Sequence, residues 1–125
     1  MNLVDSCGWL EFFSDGPNAS YFEKALVNPA TILIPTICIY EVFRKIMHTK
    51  GTAFALETVA QMEQGTVVTL DSDTAMLAAQ LSIQHHFPMA DSLILATAQY
   101  HHAVLWTQDE HFAKIKGVKY IQKSR

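Results

Sequence analysis

Short apolar runs, several of them β-branched, recur at residues 1–5, 31–34, 66–70, 103–107 and 118–121, and most are separated by stretches long enough for helices. This alternation constrains the fold more than any other feature of the chain. Strands joined through helices pair in parallel with right-handed crossovers, and a parallel sheet carries helices on both faces. The spacing therefore predicts an α/β fold. Gly8-Trp9 begins a short helix, and Pro17-Asn18 starts a second that ends near Asn28-Pro29. Pro35 suits the start of a helix over 36–49, which Gly51 breaks. A further helix runs to about Gln64 and stops at Gly65, and Asp71 to Thr74 form a cap for a helix reaching about His86. Pro88 opens a helix over 88–102, and a short one covers about 110–115 before Gly117. The 36–49 helix is apolar around most of its circumference, which predicts burial or a partner surface.

With 125 residues, 50% of them hydrophobic, the chain has the size of one domain, 1–125, with no linker or repeat. A charged fraction of 17% excludes a disordered chain. No apolar run is long enough for a bilayer span, and Asp5 interrupts the apolar start that a signal peptide needs. The expectation is a cytoplasmic protein without membrane contact, with Cys7 and Cys38 reduced. A net charge of -3 gives no general attraction for nucleic acid. Lys114, Lys116, Lys119, Lys123 and Arg125 nevertheless gather near the end of the chain, as either a phosphate-binding edge or a solvated tail.

The topology matters for four acids. A crossover helix runs antiparallel to its strands, so its N-terminus returns to the carboxyl edge of the sheet, where open sheets bind ligands. Asp5 and Asp109 follow strands, while Glu41 and Asp91 lie in the early turns of the 36–49 and 88–102 helices. All four are expected at that edge. Asp5 and Asp109 also suit helix caps, with Ser6 as a competing cap, and Asp91 suits a dipole-stabilising position. Glu41 lies too deep in its helix to cap it, and its structural alternative is a pair with Arg44 or Lys45. Buried carboxylates gathered together repel unless a cation neutralises them, and a divalent ion held by such acids suits phosphodiester hydrolysis.

Other features point elsewhere or nowhere. Asp71 and Asp73 are caps, His85-His86 and His101-His102 fall near helix C-termini, and Trp9, Phe12 and Phe13 are packing residues. The sequence has no glycine-rich phosphate loop, zinc-type Cys-His spacing or Gly-x-Ser-x-Gly elbow. A phosphoacceptor domain wants an acidic pair after the first strand and a lysine after a later one; here strand one supplies Asp5 alone, and Thr107 stands in place of the lysine.

The segments Val4-Asp5-Ser6-x-x-Trp9, Glu41-Val42, Ala90-Asp91-Ser92-Leu93-Ile94-Leu95-Ala96 and Thr107-x-Asp109-x-x-Phe112, in that order, resemble the PIN domains over nearly the whole chain. Among these the resemblance is to the small toxin subunits of VapBC-type toxin–antitoxin pairs. It implies a five-stranded parallel sheet ordered 3-2-1-4-5 and a magnesium- or manganese-dependent endoribonuclease whose metal site is Asp5, Glu41, Asp91 and Asp109, supported by Ser6 and Thr107. It also implies a homodimer and an antitoxin that occludes the active site. The chain departs from the family pattern at one position. The family often has a further acid two residues after the one matched by Asp109, and here that residue is His111, with Glu110 beside it. The departure leaves a second metal position open. His111 reads there as a phosphate contact, a ligand for a softer metal such as manganese, or neither.

Oxygen-only ligands select magnesium or manganese over zinc. On this reading Asp5 and Asp109 bind the ion with Asp91 beside them, Glu41 completes the shell or orients water, and no protein nucleophile is needed. Arg44, Lys114 and Lys116 are the candidate RNA phosphate contacts. The competing class is a catalytically idle module whose acidic pocket receives a basic side chain of a partner protein.

Overall fold

Leu3 and Val4 are fully buried, Leu105 is nearly so, and all three lie in strands that the chain reaches only after long helical excursions. The computed structural model describes residues 1–124. In chain order the elements are β1 (Asn2–Val4), α1 (Ser6–Phe13), α2 (Ala19–Leu26), β2 (Leu33–Pro35), α3 (Thr36–Lys50), α4 (Thr52–Met62), β3 (Thr66–Val68), α5 (Ser72–His85), α6 (Met89–Tyr100), β4 (Val104–Thr107) and β5 (Lys119–Tyr120). Single 3-10 turns at Pro29–Thr31 and Glu110–Phe112 complete the set. No helix of the described residues is long and apolar enough to cross a membrane.

All ladders are parallel. β1 pairs with β4 in the register Leu3 to Leu105, and β4 pairs with β5 through Trp106–Lys119 and Thr107–Tyr120. β2 pairs with β3 through Ile34 and Val67. The continuous five-stranded sheet of the sequence reading is corrected here. The strands form a three-stranded ladder, β1-β4-β5, and a two-stranded ladder, β2-β3, linked by one parallel bridge between Asn2 and Ile32. Neighbouring strands rotate against each other by roughly 20°. Strands of three residues have little length over which to hold a second ladder against that twist.

The core takes its side chains from both sets of strands and from one stripe of each long helix. Cys38, Val42 and Ile46 of α3 are buried at helical spacing, while Tyr40 and Met47 on the same helix are exposed. The 36–49 helix is thus half-buried rather than enclosed. Gly8 sits where α1 crosses β1 and α2, and a Cβ there would lie 2.6 Å from Val4 Cγ1 and 2.7 Å from Phe22. The close approach explains a glycine inside α1, which begins at Ser6 and not, as the sequence reading had it, at Gly8. The expected helix at 110–115 is only the 3-10 turn Glu110–Phe112, because Phe112 drops fully into the core and ends it.

The strand ends are pinned beyond the ladders. Asp5 N–H donates to Trp106 O at 2.9 Å, and Ile121 N–H donates to Thr107 O at 3.0 Å. These bonds fix the backbone where β1 and β4 hand over to the segments that carry Asp5 and Asp109.

Candidate active site

Asp5 leaves β1 and caps α1. Its Oδ1 accepts from Ser6 N–H at 2.7 Å, so the cap expected from sequence is present. The same carboxylate does more than cap. Its Oδ2 accepts the Thr107 hydroxyl at 2.8 Å, and the Cys7 thiol lies 3.5 Å away. Only 4% of Asp5 is exposed. Burial pushes its pKa from 3.8 to about 6 against the opposing pull of the Thr107, Cys7 and Ser6 hydrogen bonds, and the Asp109 charge adds to the rise.

Thr107, fully buried at the end of β4, joins both strand-end acids: besides donating to Asp5 it accepts Asp109 N–H at 2.9 Å. Ser6 plays the matching part on the helix side. Its hydroxyl donates to Glu41 Oε1 at 2.6 Å, which ties α1 to α3. Glu41 therefore bonds Ser6, and no ion pair to Arg44 or Lys45 forms among the described residues.

Asp91, in the first turn of α6, meets the segment after β4. His111 Nδ1 lies 2.6 Å from Asp91 Oδ2 and 3.4 Å from Asp109 Oδ1. Asp109 caps the 3-10 turn through His111 N–H at 2.9 Å, so the second expected cap is also present. Burial raises the Asp91 pKa against the His111 hydrogen bond, and the same bond raises that of His111.

The four acids come together. Asp5, Glu41, Asp91 and Asp109 line one open cleft of about 450 Å³ with Ser6 and Arg44. Two of the four, Asp91 and Asp109, form a tighter group with His111, one ligand atom from each inside 4.8 Å of the others, and Asp5 and Glu41 are not part of it. A second cleft of about 540 Å³ shares Cys7 and Asp109 with the first and runs past Tyr120 to Lys123. Its floor is tied by Asn18, whose amide donates to Gln108 Oε1 at 2.9 Å and to Gln122 O at 3.1 Å.

The basic residues divide between the clefts and open surface. Arg44 lies on the acid cleft as expected, but Lys114 and Lys116 are exposed and line neither cleft. Lys45 and Lys123 stand there instead, and Arg125 lies outside the described residues. The sequence reading also left Cys7 and the Asp91–His111 contact unassigned. For His111 a signal existed, its place where an acid is common. Burial, with the Asp5 charge beside it, pushes the Cys7 thiol up to about 12, which disfavours the thiolate.

The donor chemistry fits a hard divalent cation. Carboxylate oxygens arrive from four separate elements, and burial raises the pKa of the most buried of them, so its charged form lacks solvation that a bound cation would replace.

The chain matches the family described as PIN domain over residues 3–118. Its fold is similar to that of a chain in a toxin–antitoxin complex from Klebsiella pneumoniae, with a TM-score of 0.81 at 24% identity over 94% of this chain and 95% of that one. It is also similar to VapC20 of Mycobacterium tuberculosis, a sarcin-ricin loop cleaving toxin, with a TM-score of 0.79 at 12% identity over 95% and 98%. A chain of DNA-bound VapBC from Salmonella typhimurium gives 0.75 at 16% identity over 98% of each. No curated protein sequence matches the chain.

Proposed function

The chain belongs to the PIN domain family, and from that premise we propose that it is a metal-dependent endoribonuclease, the toxin of a type II toxin–antitoxin pair. The observation that carries this reading is the convergence of Asp5, Glu41, Asp91 and Asp109 from four elements on one cleft. It is supported by the fold shared with a toxin that cleaves the sarcin-ricin loop.

In this proposal Asp5, Asp91, Asp109 and Glu41 hold magnesium or manganese. Bound there, the ion supplies Lewis acidity toward water and the scissile phosphate. The chain's own residues then have separate tasks. The Thr107 hydroxyl and Ser6 N–H fix both oxygens of Asp5, so the carboxylate stays in place without rotating. The Ser6 hydroxyl holds Glu41 by one oxygen and leaves the carboxylate set to accept a proton from water. Arg44 and Lys45, on the rim of the same cleft, contact RNA phosphates and position the strand without reading its sequence. Lys123 does the same along the adjoining cleft.

The partner reading rests on the toxin–antitoxin complexes among the similar folds. A groove of about 180 Å³ lined by Leu10, Phe13, Lys45, Ile46 and Phe54 shares Leu10 and Lys45 with the acid cleft. A segment of an antitoxin lying in that groove reaches the acids and blocks them. The exposed Met76, Ile83 and Met89 on α5 and at the start of α6 are the apolar surface we assign to a homodimer, and the setting is cytoplasmic.

The test is cleavage of structured RNA by the purified chain with magnesium or manganese, beside Asp5→Asn and Asp109→Asn. Cleavage by the wild type that is lost in both variants and in chelator supports the reading. Retained metal-dependent cleavage by either variant sinks the assignment. A folded wild type that never cleaves yet binds a partner tightly makes the idle module the better account.

A further inference from the structure

We infer that His111 is a nitrogen ligand of the ion held by Asp91 and Asp109, and that the site consequently prefers manganese to magnesium. The inference rests on the metal-site reading above and goes beyond it. Two donors on one ion with bonds of ~2.1 Å can stand at most ~4.2 Å apart. His111 Nδ1 lies inside that limit from both acids, 2.6 Å from Asp91 Oδ2 and 3.4 Å from Asp109 Oδ1. Asp91, Asp109 and His111 each bring one ligand atom within 4.8 Å of the others, and side-chain rotation that opens the 2.6 Å contact to the ~3 Å separating neighbouring octahedral ligands brings them onto one ion.

The ring is held for this role from two sides. His111 N–H donates to Asp109 Oδ1, which couples the backbone of one ligand to the carboxylate of the other. Phe87 stacks on the imidazole with ring centroids 6.0 Å apart and planes 30° apart, and Phe87 is itself braced edge-on by Phe112 in the core. About half of the His111 side chain is exposed, so burial alone does not account for its placement. Metal binding displaces the proton of the Asp91–His111 contact, and with the remaining ring proton on Nε2 the Nδ1 lone pair is free to bind the ion. Imidazole suits first-row transition ions, whereas magnesium is a hard ion held by oxygen. An imidazole among the donors therefore moves the site toward manganese.

The test uses the full chain with manganese and magnesium as the probes. Pulsed electron paramagnetic resonance on the manganese-loaded wild type reads nitrogen-14 coupling from a directly bound imidazole, and calorimetry gives the two affinities. We expect nitrogen modulation in the wild type and none in His111→Gln. Manganese should bind that variant at least about tenfold more weakly, since even outer-sphere partners of a metal cost about that much. Magnesium binding should change far less, and His111→Asp should raise magnesium affinity and lower the manganese preference. Asp109→Asn locates the signal: it must abolish manganese binding at this site. Manganese that binds through Asp109 without nitrogen modulation, with His111→Gln unchanged in affinity, overturns the inference and leaves the metal site standing. No manganese binding in the folded wild type overturns both. Should His111→Gln fail to fold, the wild-type spectrum decides by itself.

Discussion

Replacing Asp5 by Asn should stabilise the metal-free protein at neutral pH, although it removes a residue of the proposed active site. The folded carboxyl binds its proton more tightly, at about 6, than the unfolded one, at 3.8. A raised value contributes stability that is fully present below the unfolded pKa and is lost as pH rises through the folded one. By about pH 7 the ionised, buried Asp5 therefore withholds ~3 kcal/mol from the fold. Asparagine carries no charge to bury and keeps an oxygen for Ser6 N–H. Relative to the neutral acid it loses the Thr107 hydroxyl's bond to Oδ2, worth ~1 kcal/mol net. The balance is a gain of ~2 kcal/mol near pH 7.5 that shrinks to about zero near pH 4.5. Urea unfolding in chelator, at those two pH values, reads the difference directly, with the slope of free energy against urea unchanged. A variant less stable than wild type at both pH values, or one whose difference does not change with pH, refutes the argument that Asp5 is a buried charge lacking its counter-ion.

Three further substitutions probe separate parts of the account. Thr107→Val keeps the volume but leaves Asp5 Oδ2 and Asp109 N–H without their shared hydroxyl; it should cost ~1–3 kcal/mol in urea unfolding and at least about tenfold in cleavage rate. Gly8→Ala pushes a methyl against Val4 and Phe22 and should destabilise by ~1–3 kcal/mol, measured in the same way; a neutral result means that α1 can shift away from α2. Arg44→Ala should raise KM for RNA and lower the slope of log binding against log salt by about one, while Lys114→Ala and Lys116→Ala leave both unchanged. Equal effects from all three would restore the C-terminal lysines as the phosphate contacts.

The positions of Asp5, Glu41, Asp91 and Asp109 were legible in sequence because a topological rule places them. Strands joined by helices return each helix start to the edge where strands end, so residues far apart in the chain are confined to one rim. Caps were legible for local reasons: Asp71 bonds Thr74 N–H three residues on, a contact within a single turn. What was not legible depends on distances that no local pattern encodes. The pairing of His111 with Asp91 joins segments 20 residues apart through the packing of Phe87 and Phe112. The break between β1 and β2 follows from twist acting on three-residue strands, and a run of apolar residues gives no measure of that. Spacing along α3 suggests Lys45 as a partner for Glu41, yet Ser6 takes Glu41 and leaves Lys45 to the cleft.

The central claim is that these acids hold a divalent ion. Thermal unfolding of the wild type, Asp91→Asn and Asp109→Asn with and without manganese or magnesium tests it most directly, since an ion that binds only the folded state must raise the melting temperature. At about a hundredfold over its dissociation constant the ion adds ~2.7 kcal/mol. The account predicts a clear rise in the wild type that is lost in both variants. No rise in the wild type, or an equal rise in all three proteins, would contradict it.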